Sequence, residues 1–265
     1  MAETVAWHAG DMRIARIGFT PLKGARHATH AHVDLADSGP VGDRVFCLVD
    51  PARGRVLRTV ENPSLMLATA RWRDPVLTVQ LGERTETGTP RNTGEVRDVD
   101  YWGRRASVEL VDGPWASMFA EHLGYDVVLA RSAHPGEVVY GGSVTLVTTA
   151  SMRLVAEKLG GPVASEQFRS TFLVDTAGSD DEPHMEEGWV GRTLHLGAAS
   201  VLVRGPVPRC AVVDVDPATG RRERPVLSTL AGYRRGSGEI DFGVDATVLV
   251  PGRVHDGDTV VLGRD

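Results

Sequence analysis

The chain offers two thiols, Cys47 and Cys210. Cys210 lies in GPVPRCAVVDVDP, where Pro206 and Pro208 set it at the start of an apolar strand, with Arg209 adjacent. Thiolates are nucleophiles and soft-metal ligands, and neighbouring cations stabilise them. The same residue also reads as an inert thiol, because free Cys is among the most buried residue types. Cys47, inside the apolar VFCLVD, reads as inert core. Two cysteines cannot build a disulfide scaffold or a Cys₄ zinc site.

Histidines and cations come next. His27, His30 and His32 stand close enough in sequence for imidazoles to share a metal. Strand alternation puts His30 and His32 on one face and His27 on the other, and no carboxylate or Cys lies beside them. They also read as an exposed polar loop between two strands. Lys23, Arg44, Arg58 and Arg169 each flank strand or turn segments. A guanidinium fork matches phosphate bidentately, so the four form an anion site if the fold gathers them. Separately, each reads as a surface ion pair, Arg44 with Asp43 first of all. Lysine is rare: Lys23 and Lys158 are the only two.

Motifs for other chemistries are absent. The chain has no G-x-x-x-x-G-K-[ST], no G-x-G-x-x-G after a strand, no G-x-S-x-G elbow and no H-E-x-x-H. This argues against nucleotide hydrolysis, dinucleotide chemistry, α/β-hydrolase chemistry and metalloprotease chemistry.

The elements that must position these groups are mostly strands. Thirty glycines and fifteen prolines punctuate short apolar runs. The runs predict strands at 13–19, 44–49, 55–60, 76–81, 107–111, 126–130, 143–147, 171–174, 199–203, 211–215, 247–250 and 259–262. Short strands at regular spacing with Gly, Pro and Asp turns point to barrels or a sandwich. Two helices stand out. One covers 114–123, with Gly124 as its stop. The other covers 150–159, with Thr149 as N-cap and Gly160 and Gly161 as its end. Met152, Val155, Ala156 and Leu159 share one apolar face of it. A short helix at 229–234, capped by Ser228, is also expected. The stretch 132–142 reads as a domain boundary. The loop 176–188, with Asp180, Asp181, Glu182, Glu186 and Glu187, reads as a solvated acidic loop.

Composition sets the frame. The chain has 265 residues, 42% apolar and 24% charged, which suits a folded globule and excludes wholesale disorder. The net charge of −6 excludes a bulk basic surface for nucleic acid, though not a local cationic pocket. The N-terminal residues carry no signal-peptide core, and no apolar run reaches the ~18 residues that cross a bilayer. The expectation is a soluble, reduced, cytoplasmic protein with no membrane or nucleic-acid partner.

A series of segments, in order, resembles the MOSC family, named for the C-terminal domain of molybdenum cofactor sulfurase, together with that family's companion N-terminal β-barrel domain. The segment IGFTPLKGARH resembles the family's Y-P-[VL]-K segment and places Lys23. GPVGDRVFCLVDPARGRVLRTVENPSL resembles G-L-x-x-D-R-x-[WF]-x-[LV]-V-D and the R-x-x-P-x-L after it, with one extra residue between Arg58 and Pro63. SVTLVTTASMRLV resembles the segment opening [ST]-x-A-S-L and places Thr148 and Ser151. EQFRSTFLV resembles R-F-R-P-N-[IV] and places Arg169, with Ser170 and Thr171 where the family has Pro and Asn. EEGWVGRTLHLG resembles E-D-x-W-x-x-x-x-L-x-[IL]-G. PRCAVVDVDPATGRR and LSTLAGYRR resemble R-C-x-x-[TV]-x-V-D-P-x-T-G and L-x-T-L-x-x-Y-R, and the tail FGVDATVLVPGRVHDGDTVVL fits the closing pattern.

The resemblance implies a mostly β protein with a few helices (α+β), built as two closely packed β-barrel-type domains. Residues 1–130 would form the N-terminal barrel and 131–265 the MOSC domain, with a cofactor between them. In the family's reductase branch, the mitochondrial amidoxime-reducing component and its bacterial relatives, the matching Cys ligates molybdenum. Cys210 would thus be the catalytic residue and the metal ligand. Lys23, Arg58, Thr148, Ser151, Arg169 and Arg209 would bind the molybdenum cofactor (Mo-molybdopterin), its phosphate facing the N-terminus of the helix near residue 150. The implied activity is reduction of N-oxygenated or similar oxidised small molecules, with electrons from a separate donor protein. The alternatives are sulfur transfer through a persulfide on Cys210, or a non-catalytic cofactor carrier. Any pyridoxal phosphate would sit only on a separate partner protein. Asp214, Asp216 and Gly220 read as a turn.

Overall fold

The computed structural model describes residues 12–139, 142–177, 181–234 and 238–263. Tyr140 and Gly141 of the expected boundary, Asp180 of the acidic loop and Arg235 lie outside the described residues.

The fold is mostly β, with two closed barrels. Strands 46–50, 55–56, 91–101, 104–112 and 128–132 close the first. The run FCLV is apolar throughout because both of its faces are covered. Cys47 and Val49 point into the barrel with Val99, Tyr101 and Val108. Phe46 and Leu48 point outward to Trp115 and Phe119 of helix α1 (Trp115–Leu123). The second barrel is an eight-stranded sheet in which strand Met12–Phe19 pairs with Phe172–Asp175 as well as with Thr259–Leu262, closing seven strands into a ring. Alternating Met12, Ile14, Val144, Leu146, Val201, Val203 and Val244 fill it.

The two barrels exchange segments in space. Strand Met12–Phe19 belongs to the second barrel, and strand His32–Ala36 pairs with Gly252–His255. The chain then crosses over. Arg44 and Phe46 donate backbone bonds to Thr20 and Pro21, and Lys23 donates one to Phe46 at 2.8 Å. Burying seven strands of the ring needs the N-terminal strand as a stave.

Helix α2 (Thr149–Leu159) starts one residue before the expected position, and its N-cap is Thr148, not Thr149. Both residues are Thr, so type alone does not choose. The cap is the one with extended backbone whose side chain accepts from Ser151 N. Helix α3 (Val226–Tyr233) starts three residues earlier than expected, with Pro225 rather than Ser228 at its N-cap position. Its Val226 and Leu230 pack with Val155, Phe168 and Phe242. The expected strand at 211–215 is instead a 3₁₀ turn over Ala211–Asp214, closed by Val213 N donating to Cys210 O at 3.1 Å. Four apolar residues are too few for periodicity to separate strand from turn. The long strand Arg91–Tyr101 went unforeseen because its exposed, polar RNTGEVRD shows no apolar alternation.

Candidate functional site

A cavity of about 310 Å³ opens where the two barrels meet. The first contributes Arg58, Thr59, Tyr101 and Trp102, and the crossing segments contribute Lys23 and Arg44. The second contributes Thr145, Phe168, Arg169, Arg209 and Cys210.

Cys210 is exposed at the start of its 3₁₀ turn, just beyond the strand Ala199–Pro208. Arg209 N, bonded to Ile240 O at 2.8 Å, anchors the backbone before it. Cys47 is its opposite: fully buried, with burial pushing its thiol up to about 12.

Lys23 donates from Nζ to Tyr101 Oη at 2.8 Å. Burial, then Arg44 and Arg169, lower its ammonium from 10.5 to about 7. Burial pushes the Tyr101 phenol up to about 12, so it stays protonated beside that lysine. Arg169 donates from Nη1 to Ala25 O at 2.8 Å, bridging the two halves. Burial and then Arg44 lower its guanidinium to about 9. Arg209 turns inward, donating from Nε to Phe242 O at 2.8 Å and from Nη1 to Phe168 O at 2.7 Å. Its Nη2 is buried without a partner. Gly243 makes room there: with φ +73, an added Cβ would stand 2.5 Å from Leu146 O and 3.3 Å from Arg209 Nη2.

Arg44 pairs with Asp43, as expected, and its Nη2 lies 3.4 Å from His27 Nε2. Arg58 donates to Asp100 at 3.1 Å and lies 4.5 Å from the Trp102 ring centre. It therefore stands at the rim, tied to an acid. Among the described residues five non-glycine residues have positive φ, and Arg44, Trp102 and Arg169 of these line the cavity. Such strain collects where a structure must aim a side chain.

Thr148 and Ser151 do not line the cavity. Both are fully buried and donate to the Glu186 carboxylate, Thr148 at 2.9 Å and Ser151 at 2.8 Å. The N-terminus of α2 thus faces a protein carboxylate that the helix dipole favours, in place of the expected phosphate. Glu186 is 0% exposed, so the acidic loop is not wholly solvated. Burial raises its carboxyl above the usual range. Sequence reasoning missed it, because nothing local separates Glu186 from the solvent-facing acids around it.

The histidines diverge. His27 is buried by Arg44, His30 stacks on Phe19 at 3.7 Å between ring centres, and His32 lies 5.9 Å from His255. Among the described residues no group of three or more His, Cys, Asp or Glu could hold a metal, so a metal here needs other donors besides Cys210. The Thr145 amide donates to the Thr171 hydroxyl at 3.1 Å and the Thr171 amide to the Thr145 hydroxyl at 3.0 Å, which gives the residue at the family's Asn position a structural role. Among the described residues no helix is long and apolar enough to cross a membrane.

Comparison with known proteins places the chain. Residues 132–261 match the MOSC domain, and residues 11–125 match the MOSC N-terminal beta barrel domain. The molybdenum cofactor sulfurase of Solanum lycopersicum is 35% identical over 61% of this chain and 22% of its own length. That of Anopheles gambiae is 24% identical over 88% of this chain and 34% of its own length. The chain thus spans about a third or less of these relatives. The YUAD protein from Bacillus subtilis superposes with a TM-score of 0.46 at 12% identity, over 98% of this chain and all of that one. With both domains matched along the chain, this protein belongs to the MOSC family.

Proposed function

We propose that this chain binds the molybdenum cofactor in the cavity and is a reductase of N-oxygenated or similarly oxidised small molecules. The observation that carries the reading is one exposed thiol, Cys210, converging with Lys23, Arg44, Arg169 and Arg209 on a single cavity. The donor set fits the group. A thiol supplies the soft ligand that suits a metal already held by sulfur. Buried cations suit a phosphate, and the unpartnered Arg209 Nη2 leaves a donor to spare. Cys210 would hold the metal, and Lys23 and Arg169 would hold the phosphate with Arg44 behind them. When bound, the group supplies two-electron oxygen-atom transfer.

The chain's own residues bind and orient. Tyr101 holds the Lys23 ammonium by its oxygen, and an arriving anion draws a proton onto that lysine near neutral pH. A separate donor protein would supply electrons.

The names of the relatives favour a second reading, sulfur transfer through a persulfide on Cys210. The test is elemental analysis of the wild type and Cys210→Ala, purified from a host that makes the cofactor. Near-equimolar molybdenum in the wild type, lost in the variant, supports the metal-ligand role. A folded wild type without molybdenum overturns it. A persulfide mass on Cys210 would then support sulfur transfer, and bound pterin without turnover would support a carrier.

A further inference from the structure

Trp102 is placed against local preference. It is the first of two residues, Trp102 and Gly103, in a hairpin turn whose flanking residues Tyr101 and Arg104 pair. Both turn residues have positive φ, 57 and 79. Two-residue turns of this kind favour Asn, Asp or Gly, and a bulky residue there is an outlier. Apolar burial does not explain the choice, because Trp102 is 41% exposed. It lines the cavity, and the Arg58 guanidinium stacks on it at 4.5 Å. Asp100 locks the arrangement from below: one carboxylate oxygen accepts from Gly103 N at 2.8 Å and the other from Arg58 Nη2 at 3.1 Å. One acid therefore sets both the turn and the cation on the ring. An outlier so over-determined, at the rim of a ligand cavity, calls for a role in binding.

We propose that Trp102 is a stacking platform for a planar, conjugated group of the molecule whose anionic end sits among Lys23, Arg44 and Arg169. The inference rests on the anion-binding reading of the cavity above. The flat face of an indole accepts any conjugated ring, and the adjacent guanidinium adds a cationic edge. The platform would select aromatic or heteroaromatic ligands over aliphatic ones with the same charged head.

The test is calorimetric titration with phenyl phosphate and methyl phosphate, which share one head group. The wild type should prefer phenyl phosphate by about tenfold, the usual worth of a stacked aromatic contact. Trp102→Asn should raise Tm, since Asn tolerates the turn, and should bring the preference near unity while methyl phosphate binds within about twofold of wild type. Trp102→Phe should keep most of the preference. A Trp102→Asn variant that retains the full preference overturns the platform alone. A wild type that binds neither ester overturns the anion reading, and the platform falls with it.

Discussion

At the scale of single residues, the cavity is built at a cost to the empty protein. Burial first, and then the neighbouring Arg44 and Arg169, bring the Lys23 ammonium down to about 7. Between about 7 and 10.5 the unfolded lysine keeps a proton that the folded one has lost. The unfolded state then binds more protons, so this group makes stability rise with pH across that window. Lys23→Met should therefore stabilise the ligand-free protein most below pH 7, with the gain fading toward pH 10, as thermal unfolding across pH would show. Anion binding runs the other way, because a bound anion favours the charged lysine. Sulfate, which does not titrate in this range, should bind severalfold more weakly at pH 8.5 than at pH 6, and Lys23→Met should flatten that dependence.

At the scale of elements, the start of α2 is a sealed polar joint. Thr148 accepts from Ser151 N and donates to Glu186, so one hydroxyl caps the helix and satisfies a buried acid. Thr148→Val keeps the shape and removes both bonds. A lost N-cap and a weakened buried carboxylate together cost about 2–4 kcal/mol, readable as a lower denaturant midpoint. Anion affinity should hold within about twofold, because the joint does not line the cavity.

For the whole molecule, the barrels are joined by more than a linker. Strand Met12–Phe19 closes the second barrel, Arg169 reaches back to Ala25 O, and Arg222 donates to Val60 O at 2.7 Å. A fragment of residues 131–265 lacks a stave of its own barrel and exposes apolar positions such as Phe172 and Val260. It should fail to fold alone, and adding residues 12–36 in trans should restore a cooperative transition, observable by near-UV circular dichroism. The net charge of −6 is no obstacle to an anion in the cavity, since close cations set the local field.

The local sequence by itself determined the strand-rich class, the two helices to within a residue at their starts, and strands such as 76–81 and 259–262, because apolar alternation and Gly stops act within a few residues. The family resemblance further marked Cys210, Lys23 and Arg169 as site residues. Only the tertiary structure decided which groups meet. Lys23 and Arg169 are far apart in sequence and share a cavity, whereas Thr148 and Ser151, near the same motifs, turn away to Glu186. No local pattern encodes that a lone N-terminal strand closes a distant barrel, or that an acidic-loop glutamate is buried. Those outcomes depend on which surfaces must be covered once the strands pair, and that is settled by burial across the whole chain.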